Sequence, residues 1–225
     1  MRGFFLRDAR LQDLLDPASA LWRPVPSEVV VLVGTPSALQ PTAAVRAAFP
    51  DGTIGAIKSV TVAVAHNGSD IAFRLQWQDA SADTGAEGQD DTGFPDAAAI
   101  LFPARPKAPL MSMGAPGLPV NAWYWRADEP ARGRHVSAEG LGTSDTVDRD
   151  LVKVQGVHRN GEWHVVIARA LRATVPRPVA QLEAGGRIGV SLAIWEGSHG
   201  ERAGIKAFAL GQHDGWHELI LDPQA

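Results

Sequence analysis

The sequence predicts a mainly β protein, an antiparallel β-sandwich with a few short helices. Three observations predict this fold. Apolar and polar residues alternate in several short runs, Asn-Gly pairs separate two pairs of these runs, and 23 glycines and 16 prolines divide the 225 residues. Alternation with a period of two is typical of strands that bury one face, and many short strands between turn signals are typical of a sandwich.

The N-terminal part predicts short helices and no long one. Two segments carry apolar residues at helical spacing, namely Leu11–Leu15 and Ala43–Phe49. We expect a single domain over residues 1–225, in which residues 1–21 form an N-terminal extension. We expect no signal peptide in this extension, because its apolar run Phe4–Leu6 is broken at once by an arginine.

The strongest turn signals are two Asn-Gly pairs, Asn67–Gly68 and Asn160–Gly161. Both residues of a tight hairpin turn must tolerate a positive φ, and an Asn-Gly pair between alternating runs therefore predicts a β-hairpin. The runs are Val60–Val64 and Ile71–Trp77 around the first pair, and Val152–Val157 and Trp163–Ile167 around the second.

The remaining strands and loops follow from the same signals. Three further runs read as strands, namely Arg187–Trp195, Ile205–Leu210 and Trp216–Leu221. Ser81–Thr92 is acidic and reads as a solvated loop. Pro103–Pro119 contains five prolines, which exclude a helix or a central strand within it.

Composition excludes several classes of function. The chain has no cysteine, so it has no thiolate zinc site, iron–sulfur cluster or cysteine nucleophile of its own. A net charge of −4 without a basic cluster argues against nucleic-acid binding. We expect no membrane span, because no run of about 20 apolar residues is present.

Catalytic motifs are missing from the sequence. It contains no G-x-S-x-G, P-loop or H-E-x-x-H pattern. The seven histidines have no metal-ligand spacing, and we expect them on the surface or in hairpins. These absences argue against a hydrolase.

Trp123, Tyr124 and Trp125 form an aromatic cluster directly after the proline-rich loop. In a strand the two tryptophans face one way and the tyrosine faces the other. Core packing is the simplest interpretation. Two functional alternatives are a stacking platform for a sugar and a wall for a large flat cofactor.

Met111, Met113 and Lys206 are candidate metal ligands. Methionine in an irregular loop is usually an apolar filler, but its thioether is also a soft ligand that haem iron accepts. The simplest interpretation of Lys206 is a solvent-facing residue on an edge strand. To bind a metal its amine must be neutral, which costs about 4–5 kcal/mol at pH 7 against a reference pKa of about 10.4.

The chain resembles the haem b subunits of the type II dimethyl-sulfoxide-reductase family, among them the γ subunit of ethylbenzene dehydrogenase. The resemblance spans roughly residue 22 to the C-terminus, and Met113-Gly followed by the Gly117–Trp125 run is its most specific part. The motifs that carry it lie in the same order, namely His66–Ser69, Met113–Gly114, Gly117–Trp125, His158–Trp163 and Glu201–Lys206.

This resemblance implies one haem b in a loop-lined pocket of the sandwich. The family's iron is held by a methionine before a glycine and by a lysine after E-R-x-G-x. These positions correspond to Met113, with Met111 as the fallback, and to Lys206. Asn121, Trp123 and Trp125 are expected to line the cofactor pocket.

The resemblance also implies a heterotrimer with a molybdenum-cofactor α subunit and an iron–sulfur β subunit. The haem subunit would take electrons from the iron–sulfur subunit and pass them to an external acceptor such as a cytochrome c. A periplasmic location is expected, with export alongside the catalytic subunit. The substrate, an alkyl-aromatic hydrocarbon or another compound, would be selected by a different chain.

A carbohydrate-binding module is the alternative function. Similar sandwiches bind sugars through aromatic platforms, and the cluster at residues 123–125 has suitable side chains.

Overall fold

The computed structural model describes residues 1–34, 43–48, 55–85, 94–201, 205–209 and 214–224. Its helices are short, α1 (Leu11–Leu15) and α2 (Ala43–Ala48), as the leucine and alanine spacing predicts. No helix in these ranges has the length and apolar character needed to cross a bilayer.

Fourteen strands are described. They are β1 (Arg2–Phe5), β2 (Ser27–Val31), β3 (Ser59–His66), β4 (Asp70–Gln78), β5 (Ala97–Pro103), β6 (Gly114–Ala115), β7 (Leu118–Arg126), β8 (Arg134–Ala138), β9 (Asp145–Asp148), β10 (Lys153–Arg159), β11 (Glu162–Ala170), β12 (Arg187–Trp195), β13 (Ile205–Lys206) and β14 (His217–Leu221).

The strands form a sandwich whose two layers share β12. The first layer runs β10-β11-β4-β3-β1-β14 and the second runs β12-β5-β7-β8-β9, while β2 pairs with β3, β6 with β7 and β13 with β12. Residues 187–190 of β12 pair with β14, and residues 191–195 pair with β5. The predicted β-sandwich is confirmed.

One part of the pairing differs from the predicted antiparallel pattern. β1 lies between β3 and β14 and is parallel to both. Its four residues are too few to show an alternation, so the sequence pattern gave no signal for a strand there. The start of the chain is thus an internal strand of the first layer.

Both Asn-Gly hairpins are confirmed. β3 and β4 pair with His66 opposite Ile71, and β10 and β11 pair with Arg159 opposite Glu162. In the second turn Asn160 has φ 54° and Gly161 has φ 74°. These left-handed values favour asparagine and glycine over other residues.

The main core lies between the two layers and consists of the inward rows of each strand. From the first layer it includes Phe73, Trp77 and Ile167, and from the second Ile100 and Trp123, all at most 2% exposed. Because every second residue of a strand points inward, the alternating runs predicted these rows correctly.

Each layer also has a covered outer face. The N-terminal segment, including Leu14 and Trp22, packs on the outside of the first layer. The proline-rich segment, including Ala108 and Leu110, packs with Trp216 on the outside of the second layer. Covered outer faces explain why the rows of Ala63 and Ala99 are apolar as well.

Two predictions need correction. His135 is fully buried, although a surface or hairpin position was expected for every histidine. His66 is fully buried as well, but it lies at the end of β3 beside the Asn67–Gly68 turn and so has the expected hairpin position. The proline-rich segment also contains β6 and overlaps two further strands, since Pro103 ends β5 and Pro119 is the second residue of β7. Strand ends tolerate proline because its missing N–H is not needed there.

Candidate functional site

Met113 lies in a tight turn that holds its backbone on both sides. Its N–H donates to Leu110 O at 3.0 Å, and its carbonyl accepts from Gly140 N at 3.0 Å. The residue has φ 56°, which is an uncommon left-handed value for a side chain of this size. These two hydrogen bonds therefore hold the backbone of Met113 in one position.

Gly114 explains why a glycine follows this methionine. It has φ 92°, and a Cβ at this position would come within 2.5 Å of Ala138 O and 2.8 Å of Leu118 O. Both the backbone angle and the close approach of two carbonyls require a residue without a side chain. Any other residue would displace the turn that carries Met113.

The two candidate methionines differ in exposure. Met113 is half-buried and packs against the outer-face cluster of the second layer, whereas Met111 is 41% exposed. A thioether that binds haem iron must lie beside an apolar surface that can cover the porphyrin. Met113 meets this condition better than Met111.

Lys206 is described by its backbone, and its side chain lies outside the described part of the structure. In β13 it pairs with Ala193 of β12, and Ala193 in turn pairs with Ala99 of β5. Residues paired across neighbouring strands occupy the same face of a sheet. This register places Lys206 on the outer face of the second layer, the face on which Met113 packs.

The outer face between these two positions suits a flat apolar group. Ala99, Ala122 and Ala193 present small side chains in its centre. Partly buried apolar side chains surround them, namely Met113, Leu118, Tyr124, Val136, Trp195 and Phe208. The three alanines are at most 7% exposed and are therefore already covered by the protein, so the residues that could contact a porphyrin are the partly buried apolar side chains around them.

Trp123 and Trp125 lie on the opposite, inner face of β7. Both are fully buried. The Trp123 ring packs 4.5 Å from the Phe102 ring, and the Trp125 ring lies 4.9 Å edge-on from the Trp163 ring. The structure therefore does not bring them together with Met113, and their predicted place in the cofactor pocket stays a prediction.

Asn121 is also fully buried on the inner face. Its Oδ1 accepts a hydrogen bond from Ala180 N at 2.7 Å, and its Nδ2 lies 3.4 Å from Ser137 Oγ. The side chain thus fixes the segment around residue 180 to β7. Its predicted contact with a cofactor stays a prediction.

A buried polar group beside Trp123 was missed by the sequence analysis. The Arg169 guanidinium lies 4.5 Å from the Trp123 ring and donates to the carbonyls of Leu171 and Ala180. Burial lowers the pKa of Arg169 to about 10, so it stays charged at neutral pH. No local pattern distinguishes Arg169 from the surface arginines in the sequence.

His135 lies opposite Trp123 in the pairing of β7 with β8. Burial, and then the charge of Arg169, lower its pKa to about 4. Its ring is therefore neutral at physiological pH. A buried neutral histidine can act in packing and hydrogen bonding, but it does not supply a charge.

Comparison with known proteins identifies the family to which this chain belongs. The family model described as ethylbenzene dehydrogenase matches residues 21–150 and 140–207. The chain is 31% identical over 198 residues to a protein of Haloferax mediterranei assigned as a respiratory nitrate reductase haem subunit, covering 88% of this chain and 66% of that protein.

Two further relatives are named as γ subunits. The chain is 32% identical to the chlorate reductase subunit gamma of Ideonella dechloratans, covering 88% of this chain and 77% of the relative. It is 28% identical to the dimethylsulfide dehydrogenase subunit gamma of Rhodovulum sulfidophilum, covering 92% and 75%.

Solved structures with the same fold are distant in sequence. A family 9 carbohydrate-binding module from Caldicellulosiruptor kristjanssonii in complex with cellotriose has a TM-score of 0.54 at 10% identity, over 100% of this chain and 95% of the module. A protein from Bacteroides uniformis assigned to carbohydrate binding has a TM-score of 0.57 at 11% identity, over 99% and 98%. At this identity the likeness shows the sandwich fold alone.

Proposed function

This chain belongs to the ethylbenzene dehydrogenase family, and we propose that it is the haem b electron-transfer subunit of a heterotrimeric molybdenum oxidoreductase. The names of its relatives support this proposal, since they are a haem subunit and two γ subunits of multi-subunit oxidoreductases. They fit a subunit that serves a catalytic partner.

The proposal rests mainly on one observation, which is that Met113 and Lys206 lie on the same face of the second layer. Met113 packs on the outer face of the second layer, and the pairing of Lys206 with Ala193 places that residue on the same face. The two residues are far apart in the sequence, and the strand register brings them to one surface. We propose that they are the axial ligands of the haem iron.

A haem held in this way supplies one-electron transfer. Met113 would offer a neutral thioether, and Lys206 would offer an amine that has lost its proton. With both residues bound to its iron, the haem would offer no position for a substrate. The chain then has no catalytic step of its own, in agreement with the missing catalytic motifs.

The proposed partners rest on the family and on the names of relatives that are subunits of larger oxidoreductases. The chain contains no cysteine, so any iron–sulfur cluster in the pathway must belong to another subunit. We propose that electrons come from an iron–sulfur β subunit beside a molybdenum-cofactor α subunit and pass to an external acceptor such as a cytochrome c. We also propose a periplasmic location, with export alongside the catalytic subunit.

Co-purification tests the proposal. The chain, produced in its native host with a tag, should bring down two larger subunits and contain iron and molybdenum. The complex should show the sharp α band of a low-spin haem when reduced. A colourless chain without iron, purified with its partners intact, contradicts the proposal.

Carbohydrate binding is the alternative function, favoured by the fold of the two modules that match the whole chain. Its sequence signal was the Trp123–Trp125 cluster, but both tryptophans are fully buried and Tyr124 packs edge-on against Trp195 at 5.5 Å. The two tryptophans therefore offer no open face on which a sugar could stack, and Tyr124 is partly buried. Titration with cellotriose should give no binding, and saturable binding to a haem-free chain favours the alternative.

A further inference from the structure

Three buried carboxylates meet at one end of the sandwich. Asp79 directly follows β4 of the first layer, Asp96 directly precedes β5, and Glu196 directly follows β12. One ligand atom from each lies within 4.8 Å of those of the other two. The residues are 6%, 0% and 5% exposed. We propose that this cluster binds a divalent cation of the calcium class, which links the two layers.

The spacing is that of ligands around a single ion. Ca²⁺ binds oxygen ligands at about 2.3–2.6 Å, so two ligands of one ion lie at most about twice that distance apart. Carboxylates are the hard oxygen donors that Ca²⁺ prefers, and none of the three residues offers a nitrogen or sulfur ligand. Water and backbone carbonyls would complete the coordination.

An oxygen without a partner gives independent support. Oδ2 of Asp79 is buried and has no hydrogen-bond partner, although its Oδ1 accepts from Ser81 N at 3.2 Å. A buried acceptor that is left unsatisfied is costly, and each such atom in a folded protein needs an explanation. A cation at the centre of the cluster would provide the missing partner.

The other two carboxylates are oriented by donors on their outer sides. Asp96 accepts from Asp83 N at 2.8 Å, Trp163 Nε1 at 2.9 Å and Gly197 N at 2.8 Å. Each carboxylate oxygen has two lone pairs, so these bonds leave acceptor capacity on Asp96. Hydrogen bonds that fix a ligand from outside are typical of metal sites.

Glu196 is held in the same way. Its Oε1 accepts from Ser198 N at 3.0 Å and its Oε2 from His199 N at 3.0 Å. Among the described residues, the cluster makes one ion pair, between Glu196 and His199 Nδ1 at 3.3 Å. The His199 side chain is 60% exposed. Three buried acids therefore face one another with little compensating charge.

The three carboxylates lie within 4.8 Å of one another and are almost completely buried. Like charges this close and out of water repel one another strongly, so the ionised cluster is costly without a counter-charge. A divalent cation would remove this cost and keep all three groups ionised. Binding should therefore stabilise the fold, in proportion to the logarithm of the free cation concentration.

The test uses the 225-residue chain, first stripped with a chelator and then titrated with CaCl₂. We expect one calcium ion per chain by calorimetry and a rise of Tm by about 5 °C or more at saturating calcium. MgCl₂ should give a smaller rise, because Mg²⁺ demands shorter distances and a stricter geometry. A stripped chain whose Tm does not respond to calcium overturns the proposal.

Asp79→Asn is the informative variant, because it removes one charge with little change of shape. We expect at least tenfold weaker calcium binding, while the calcium-free variant is as stable as the calcium-free parent. The control Asp145→Asn, in an exposed ion pair with Arg177, should keep the full response. A calcium response retained in Asp79→Asn overturns the assignment of this cluster. The haem spectrum does not depend on the calcium site and should be the same in all of these variants.

Discussion

Gly156 of β10 lies directly against the indole ring of Trp125, across the core from it. A Cβ at Gly156 would come within 2.4 Å of Cζ2 and 2.6 Å of Cε2 of that ring. The contact joins the two layers face to face. It also fixes Trp125 as a core residue, because no space remains between its ring and the opposite sheet.

Gly156→Ala should therefore destabilise the protein by about 1–3 kcal/mol, the usual cost of overpacking a core. The same change in a Trp125→Phe background should cost less, since the smaller ring vacates the space that the new methyl group needs. Urea unfolding of the four proteins measures this coupling. Equal costs in both backgrounds contradict the contact.

Two glycines of the Met113 segment provide a matched pair. Gly114 and Gly117 have φ 92° and 74°, but a Cβ at Gly114 meets two carbonyl oxygens, whereas a Cβ at Gly117 meets nothing within 4 Å. Gly117→Ala should cost about 1 kcal/mol through the backbone angle alone. Gly114→Ala should cost more than about 2 kcal/mol and weaken the haem α band of the complex.

The ligand assignment predicts opposite results for the two loop methionines. In the purified complex, Met113→Ala should shift or abolish the sharp α band of the reduced haem, because the iron loses one axial ligand. Met111→Ala serves as the control and should keep the band, since this side chain is 41% exposed. The reverse pattern would move the ligand to Met111.

The lowered pKa of His135 predicts that the protein becomes less stable at acidic pH. This pKa is about 4 in the folded chain, below the ordinary value of 6.5, so between these values the unfolded chain binds the additional proton. Above pH 6.5 the ring is neutral in both states, and its titration does not affect stability. As the pH falls from 6.5 towards 4, the free energy of unfolding decreases by on the order of 3 kcal/mol. Urea unfolding at several pH values should show this slope.

His135→Gln removes the titrating group and should flatten the slope between pH 6.5 and 4. The variant is expected to be less stable at pH 7, because His135 is fully buried against Trp123 and the new side chain must repack there. An unchanged slope in His135→Gln would show that other groups carry the acid sensitivity.

The local elements of this protein could be predicted from the order of its residues alone. The two Asn-Gly turns and the alternating runs specified both hairpins and seven of the fourteen described strands, including β12 at Arg187–Trp195 with both ends correct. These signals work because strand periodicity and turn angles are properties of neighbouring residues. The Met-Gly pair was likewise visible, and the close approach at Gly114 supplies its physical reason.

The burial of each strand face and the contacts between distant residues could be learned from the folded chain alone. The rows of β7 that carry Trp123 and Tyr124 are both covered, so alternation alone could not show which row enters the main core. Asp79, Asp96 and Glu196 come together from three strand ends, and β1 enters the first layer by parallel pairing. Such contacts depend on how the layers fold over one another, and a periodicity along the chain carries no information about that.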